Sequence, residues 1–170
     1  MERKPVLIAY ATRYGSTQEI AEEVAEALSQ KGLEAVVRNV MEVEDLSGYA
    51  GVILGCPLYM GKWLPEVSDF VRRYALELNS MPLAAFTSGY TLREKTDLSQ
   101  RRAKTAIMSL HPFFRPEEVG LFAGRVSSEH ISDADRDIIR MAGVKEGDFR
   151  DMREVRRWAE SIIPLIRGKC

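Results

Sequence analysis

The chain predicts an α/β fold of three layers, in which a five-stranded parallel sheet of order 2-1-3-4-5 is covered by helices on both faces. Three observations carry this reading. Short apolar runs alternate with amphipathic helical stretches, glycine and proline punctuate the junctions, and no repeat, low-complexity stretch or linker breaks the pattern over 170 residues. That length suits one domain, residues 1–170, able to bury about 70% of its unfolded surface in a single core.

Val6 to Tyr10 reads as the first strand, and a helix from Thr17 to Lys31 places Ile20, Ala21, Val24, Ala25 and Leu28 on one stripe before Gly32 stops it. Leu33 to Val40 is the second strand, and Gly51 to Cys56 the third, ended by Pro57. A helix over Leu64 to Leu78 tolerates Pro65 in its first turn, where no intrahelical N–H bond is lost, and buries Val67, Phe70, Val71 and Tyr74. Pro82 to Thr87 makes the fourth strand, Leu98 to Leu110 a helix, and Val119 to Ala123 the fifth strand. Residues 125–150 are irregular apart from a short helix over Asp133 to Met141, ended by Gly143. The last helix starts near Met152 and carries Val155, Trp158, Ile162 and Ile163 inward.

Composition excludes several classes. At 45% hydrophobic and 29% charged residues the chain is that of a soluble globular protein, and no apolar run approaches the ~20 residues of a membrane span. The N-terminal Met1-Glu2-Arg3-Lys4-Pro5 leads straight into a strand, so no signal peptide is read and a cytoplasmic location is expected. A net charge of −1 gives no reason to expect nucleic acid as a partner. Cys56 and Cys170 form neither a C-x-x-C pair nor a metal cluster; Cys56 reads as a small buried residue and Cys170 as an exposed thiol.

The stretch Thr12-Arg13-Tyr14-Gly15-Ser16-Thr17 is a turn between a buried strand and a helix start. Helix N-termini present unpaired N–H groups and a partial positive charge, and Thr12, Ser16 and Thr17 add hydroxyls. Two readings fit: Ser16 or Thr17 caps the helix, or the loop cradles a phosphate. The loop lacks the Lys-Ser/Thr ending of a Walker A loop and the G-x-G-x-x-G spacing of a dinucleotide fold, which leaves a small phosphomonoester held without an obligatory metal. Two further loops converge on it in such a sheet. Pro57-Leu58-Tyr59-Met60-Gly61-Lys62-Trp63 follows the third strand and Ser88-Gly89-Tyr90-Thr91 the fourth, and their aromatic and glycine residues suit a planar heterocycle. A receiver domain would need an aspartate ending the third strand, where Leu54-Gly55-Cys56 offers none; a small tyrosine phosphatase would need Cys-x5-Arg, and Lys62 stands at that spacing from Cys56.

On these residues the chain resembles the flavodoxin family over nearly its whole length, with Gly15, Ser16 and Thr17 matching the family's phosphate loop best. The resemblance implies a flavodoxin-like sandwich and FMN as cofactor, its phosphate held by Thr12, Gly15, Ser16 and Thr17 and its ring between the loops Pro57–Trp63 and Ser88–Thr91. Within the family, Gly61-Lys62-Trp63, the phrase Val119-Gly120-Leu121-Phe122-Ala123-Gly124 and the insertion ending Arg140-Met141-Ala142-Gly143 are similar to the menaquinone-dependent protoporphyrinogen dehydrogenase branch. One departure weighs against a membrane enzyme. Where that branch carries a basic, aromatic insertion, this chain has the acidic Ser127-Ser128-Glu129-His130-Ile131-Ser132-Asp133-Ala134-Asp135, which anionic headgroups would repel.

Each candidate residue also has a plainer reading. Arg13 pairs with the phosphate or points to solvent; Tyr59 and Tyr90 stack on the ring or pack. Gly61 lets its peptide reorient as the flavin is protonated, or simply makes a turn. Lys62 would stabilise the reduced, anionic ring. Trp63 reads as packing at a helix start, His111 and His130 as isolated surface or packing residues, and Arg153 to Arg157 as a solvated face. No catalytic or metal-ligating residue is assigned. The leading expectation is flavodoxin-like electron transfer between protein partners; the alternatives are an FMN-dependent protoporphyrinogen IX or quinone oxidoreductase, and an interaction module without flavin. If the acidic segment guides a basic redox partner, Asp133 and Asp135 would be its docking charges.

Overall fold

Along the first strand, β1 (Val6–Tyr10), Leu7 and Ala9 enter one hydrophobic core while Val6, Ile8 and Tyr10 enter another, so this strand needs helices on both its faces. The chain's structure, a computed structural model, describes residues 3–110, 112–127 and 131–168. Around β1 stand β2 (Ala35–Asn39), β3 (Gly51–Pro57), β4 (Leu83–Gly89) and β5 (Glu118–Ala123), all parallel, in the order β2-β1-β3-β4-β5. That is the predicted sheet.

On the Val6–Ile8 face lie α1 (Ser16–Gln30), α6 (Met152–Ser161) and α7 (Ile163–Gly168), which contribute Ile20, Val24, Val155, Ala159 and Ile166 to the core. On the other face lie α2 (Pro65–Arg73), α3 (Ala75–Leu78) and α4 (Asp97–Met108), with Val67, Phe70, Leu78 and Ile107 buried against Leu7, Leu54 and Ala85. The short helix α5 (Asp133–Met141) keeps its predicted bounds, and a small two-stranded antiparallel sheet, β6 (Arg125–Val126) with β7 (Gly147–Asp148), brackets it in sequence.

Three local differences from the sequence reading have physical causes. The single helix expected over Leu64 to Leu78 is broken at Tyr74, whose hydroxyl donates to the Val43 carbonyl at 3.1 Å and whose ring packs on Phe70 at 5.0 Å, so a tertiary anchor interrupts the helical run. The last helix turns at Ile162, which caps α6 and is itself buried. The β6–β7 pair has two residues a strand and no amphipathic pattern, so periodicity gives it no signal. His111, Ser128, Glu129, His130 and Cys170 lie outside the described residues.

One row across the sheet explains two glycines. Tyr10, Gly55, Phe86 and Gly120 are register partners on adjacent strands. A Cβ on Gly55 would stand 2.1 Å from Phe86 Cζ, and one on Gly120 would stand 2.8 Å from the Trp158 ring. Glycine at these positions lets Phe86, Phe122 and Trp158 cluster with centroids 5.6–6.1 Å apart, Trp158 edge-to-face with both phenylalanines. Trp158 is therefore directed inward, as its helical position predicts.

Candidate functional site

The carboxyl ends of β1, β3 and β4 are neighbours, so the three loops singled out by sequence meet at one edge of the sheet. Gly15 sits at the N-cap of α1 with φ 91° and ψ −14°, a left-handed conformation that a side chain would strain. Among the described residues no side-chain cap bond closes the start of α1. Ser16 is the first helical residue rather than the cap, and Thr12 Oγ1 accepts from the Gly15 N–H at 2.9 Å, which folds the loop over the helix start. Thr17 is fully buried and its hydroxyl lies 3.2 Å from that of Ser88, itself 1% exposed. The capping reading of Ser16 and Thr17 thus gives way: one begins the helix and the other ties α1 to the end of β4. What the loop offers a ligand is a run of helix N–H groups and the dipole of a 15-residue helix.

The second loop is a tight reversal. Tyr59 and Lys62 exchange backbone bonds at 2.8 and 3.1 Å, and the two residues between, Met60 (φ 52°) and Gly61 (φ 76°), are both left-handed, as a type I′ turn requires. Gly61 is therefore a turn glycine in this conformation, and Met60 bears the same backbone with its side chain exposed. The loop is joined to the third through Leu58 N–H to the Ser88 carbonyl at 2.7 Å. Pro57, Leu58 and Tyr59 are half-buried and Lys62 is exposed. Trp63 packs, as expected, against Phe114 and donates to Thr87 Oγ1 at 3.0 Å just before α2. Cys56 is buried as expected; it accepts from the Leu64 N–H at 3.3 Å, and burial pushes its thiol up to about 12.

In the third loop Gly89 has an extended backbone, and its carbonyl accepts from Gly124 N–H at 3.1 Å. Tyr90 meets the edge of Phe149 with centroids 5.5 Å apart, lies under the Arg93 guanidinium at 3.8 Å, and accepts from Lys145 N–H at 3.3 Å. Thr91 is exposed.

Sequence reasoning missed the residue at the centre of this edge. Asp135, at the third position of α5, is 6% exposed. Its Oδ1 accepts from the Tyr59 hydroxyl at 2.5 Å, its Oδ2 accepts from the Tyr14 hydroxyl, and Arg13 Nε lies 3.5 Å from Oδ2. The Arg13 guanidinium is stacked 4.0 Å above the Tyr59 ring, while its side chain remains 43% exposed. The idea of Asp133 and Asp135 as paired docking charges is corrected accordingly: Asp133 is exposed, but Asp135 faces inward, because a carboxylate at a helix N-terminus beside two phenols and an arginine is better satisfied there than in water. Arg125 and Arg150 add positive charge near α1. Both pair with Glu19, Arg150 is also held by Asp148 at 2.7 Å, and a Cβ on Gly15 would lie 3.9 Å from the Arg125 guanidinium. The Arg150 guanidinium in turn holds the Asp148 carboxyl below its ordinary value.

Among the described residues no helix is long and apolar enough to cross a membrane, and no group of acidic, histidine and cysteine side chains is placed to hold a metal. The chain is 29% identical over 153 residues to a protoporphyrinogen IX dehydrogenase [quinone] of Escherichia coli K12, covering 87% of this chain and 83% of that protein. Its backbone superposes on oxidised Flavodoxin 2 from Bacillus cereus with a TM-score of 0.53 at 21% identity, covering 98% of this chain and 99% of that one. It also superposes on rubredoxin oxygen:oxidoreductase from Desulfovibrio gigas with a TM-score of 0.58 at 18% identity; 98% of this chain is covered, and it spans only 38% of that longer chain. The Flavodoxin domain family matches residues 7–152, and the chain belongs to that family.

Proposed function

We propose that the chain binds FMN and passes electrons between protein partners in the cytoplasm, as one domain over residues 1–170. The observation that carries this reading is the α1 N-terminus, which has no side-chain cap among the described residues and lies by the neighbouring ends of β1, β3 and β4. The residues fit the group. Thr12, Gly15, Ser16 and Thr17, with Arg13 and Tyr14 on the same turn, would hold the phosphate, and Pro57 to Lys62 and Ser88 to Thr91 would flank the ring. FMN, when bound, supplies the redox chemistry. The chain binds, orients and tunes: Tyr59 and Tyr90 supply aromatic surface, and Lys62 lends positive charge to the turn at Met60–Gly61.

A second reading, an FMN-dependent protoporphyrinogen IX or quinone oxidoreductase, is favoured by the E. coli relative and by one feature of this chain. Beside α5 an open pocket of about 450 Å³ is lined by Val126, Ile139 and Val144 together with Arg136, Arg140 and Glu146, so apolar surface with a net positive charge faces it. Reconstitution with FMN followed by anaerobic titration separates the readings. A yellow protein that bleaches on reduction and returns its electrons only to protein acceptors supports the first. Quinone reduction that depends on added protoporphyrinogen supports the second, and a protein that stays colourless contradicts both.

A further inference from the structure

The insertion between β5 and α6 touches all three candidate loops. Asp135 holds Tyr14 and Tyr59, Phe149 and the Lys145 N–H hold Tyr90, and Arg125 and Arg150 hold Glu19 in the first turns of α1. Most of these ties are exposed and screened by solvent, so each contributes little. The Asp135 cluster differs. Its carboxylate side chain is 9% exposed, it takes two phenol donors and faces a guanidinium, and those partners lie 76 and 121 residues away in sequence. The Asp135 N–H is satisfied separately by Ser132 Oγ at 3.2 Å, which fixes the start of α5 and hence the direction of the carboxylate.

We propose that Asp135 is a positioning residue of the cofactor site. It fixes the Tyr59 ring and the Arg13 guanidinium as one stacked unit, clamps α5 to the first two loops, and sets the charge that a bound flavin meets there. The proposal rests on the FMN reading for its redox consequence but not for the clamp itself. Charge-assisted hydrogen bonds to a carboxylate that is itself shielded from water are stronger than neutral exposed ones, and a buried acceptor restricts the rotamers of its donors. Without the carboxylate, Tyr59 loses its partner and Arg13 keeps an unbalanced charge beside the site. Reduction adds negative charge, so removing a nearby carboxylate favours the reduced form and moves the potential of a bound flavin to a less negative value.

Two variants separate this role from simple loss of fold. Asp135→Asn keeps an acceptor oxygen and removes the charge; Asp135→Ala removes both. Backbone amide exchange, run without added flavin, is expected to speed up together in residues 57–62 and 133–141 of the Ala variant, at least tenfold, with partial rescue in the Asn variant. Exchange that rises in α5 alone, or in neither segment, overturns the clamp whether or not FMN binds. With FMN bound, the Asn variant is expected to show a less negative two-electron potential than the wild type. An unmoved potential in that variant overturns the redox role. Failure of the wild-type chain to take up FMN would instead overturn the functional reading, leaving the exchange result to decide the clamp.

Discussion

The hydroxyls of Thr17 and Ser88 lie 3.2 Å apart, both buried, and they join the first turn of α1 to the last turn-bound residues of β4. Two of the three candidate loops are thereby locked by one polar pair. Thr17→Val, which keeps the shape and leaves Ser88 without this partner, should cost about 1–3 kcal/mol, the usual penalty for an unsatisfied buried hydroxyl. The double variant Thr17→Val/Ser88→Ala should cost less than the sum of the single ones. Urea unfolding of the four proteins measures this; strict additivity would mean the pair does not interact.

Gly55 faces the Phe86 ring so closely that its Cβ would stand 2.1 Å from Cζ. Gly55→Ala should therefore destabilise by about 1–3 kcal/mol or more through overpacking, since the ring is held by Phe122 and Trp158 and has nowhere to turn. Adding Phe86→Leu should recover some of the loss. Thermal unfolding compares the three variants, and a neutral Gly55→Ala would show that the aromatic cluster is not fixed.

Burial raises the Cys56 thiol to about 12, above its value in an unfolded chain near 8.5–9. Because the folded value is the higher one, stability linked to this group is constant at lower pH and falls as pH rises from about 9 toward 12, with a slope approaching about 1.4 kcal/mol per unit. Cys56→Ala should lose stability modestly at pH 7 and gain on the wild type as pH is raised to about 10.5. Denaturant titrations at both pH values read the crossing trend. Thiol reagents should leave native Cys56 unmodified at pH 8.

Lys62 is exposed on the turn formed with Tyr59, next to the two left-handed residues Met60 and Gly61. Replacing it with glutamate puts a negative charge where a positive one stood, which opposes the charge gained on reduction. Redox titration of FMN-loaded Lys62→Glu should give a more negative second potential than the wild type. An unchanged value would show that this side chain does not face the flavin.

Much of the fold was legible because strands buried on both faces, such as Val6–Tyr10 and Gly51–Cys56, must be continuous apolar runs, and because Gly32 and Pro57 mark where elements stop. The turn at the start of α1 stood out for a related reason: a glycine among hydroxyl residues between a buried strand and a helix marks a special backbone, and Gly15 is left-handed there. Asp135 was not legible. In sequence it belongs to an acidic run that resembles a solvated face, and its inward role depends on Arg13, Tyr14 and Tyr59, which only the folded chain brings to it. The break at Tyr74 was hidden similarly, since the Val43 carbonyl that holds it lies on a distant loop.

In the proposed complex the open N-terminus of α1 holds the phosphate of a flavin whose ring lies between the other two loops. Fluorescence titration of the chain with FMN and, separately, with riboflavin tests this most directly. Saturable quenching by FMN is expected, with binding of riboflavin weaker by at least tenfold, because only FMN carries the phosphate proposed to sit at the Gly15–Thr17 turn. Equal affinity for the two flavins, or no quenching by either, would contradict it.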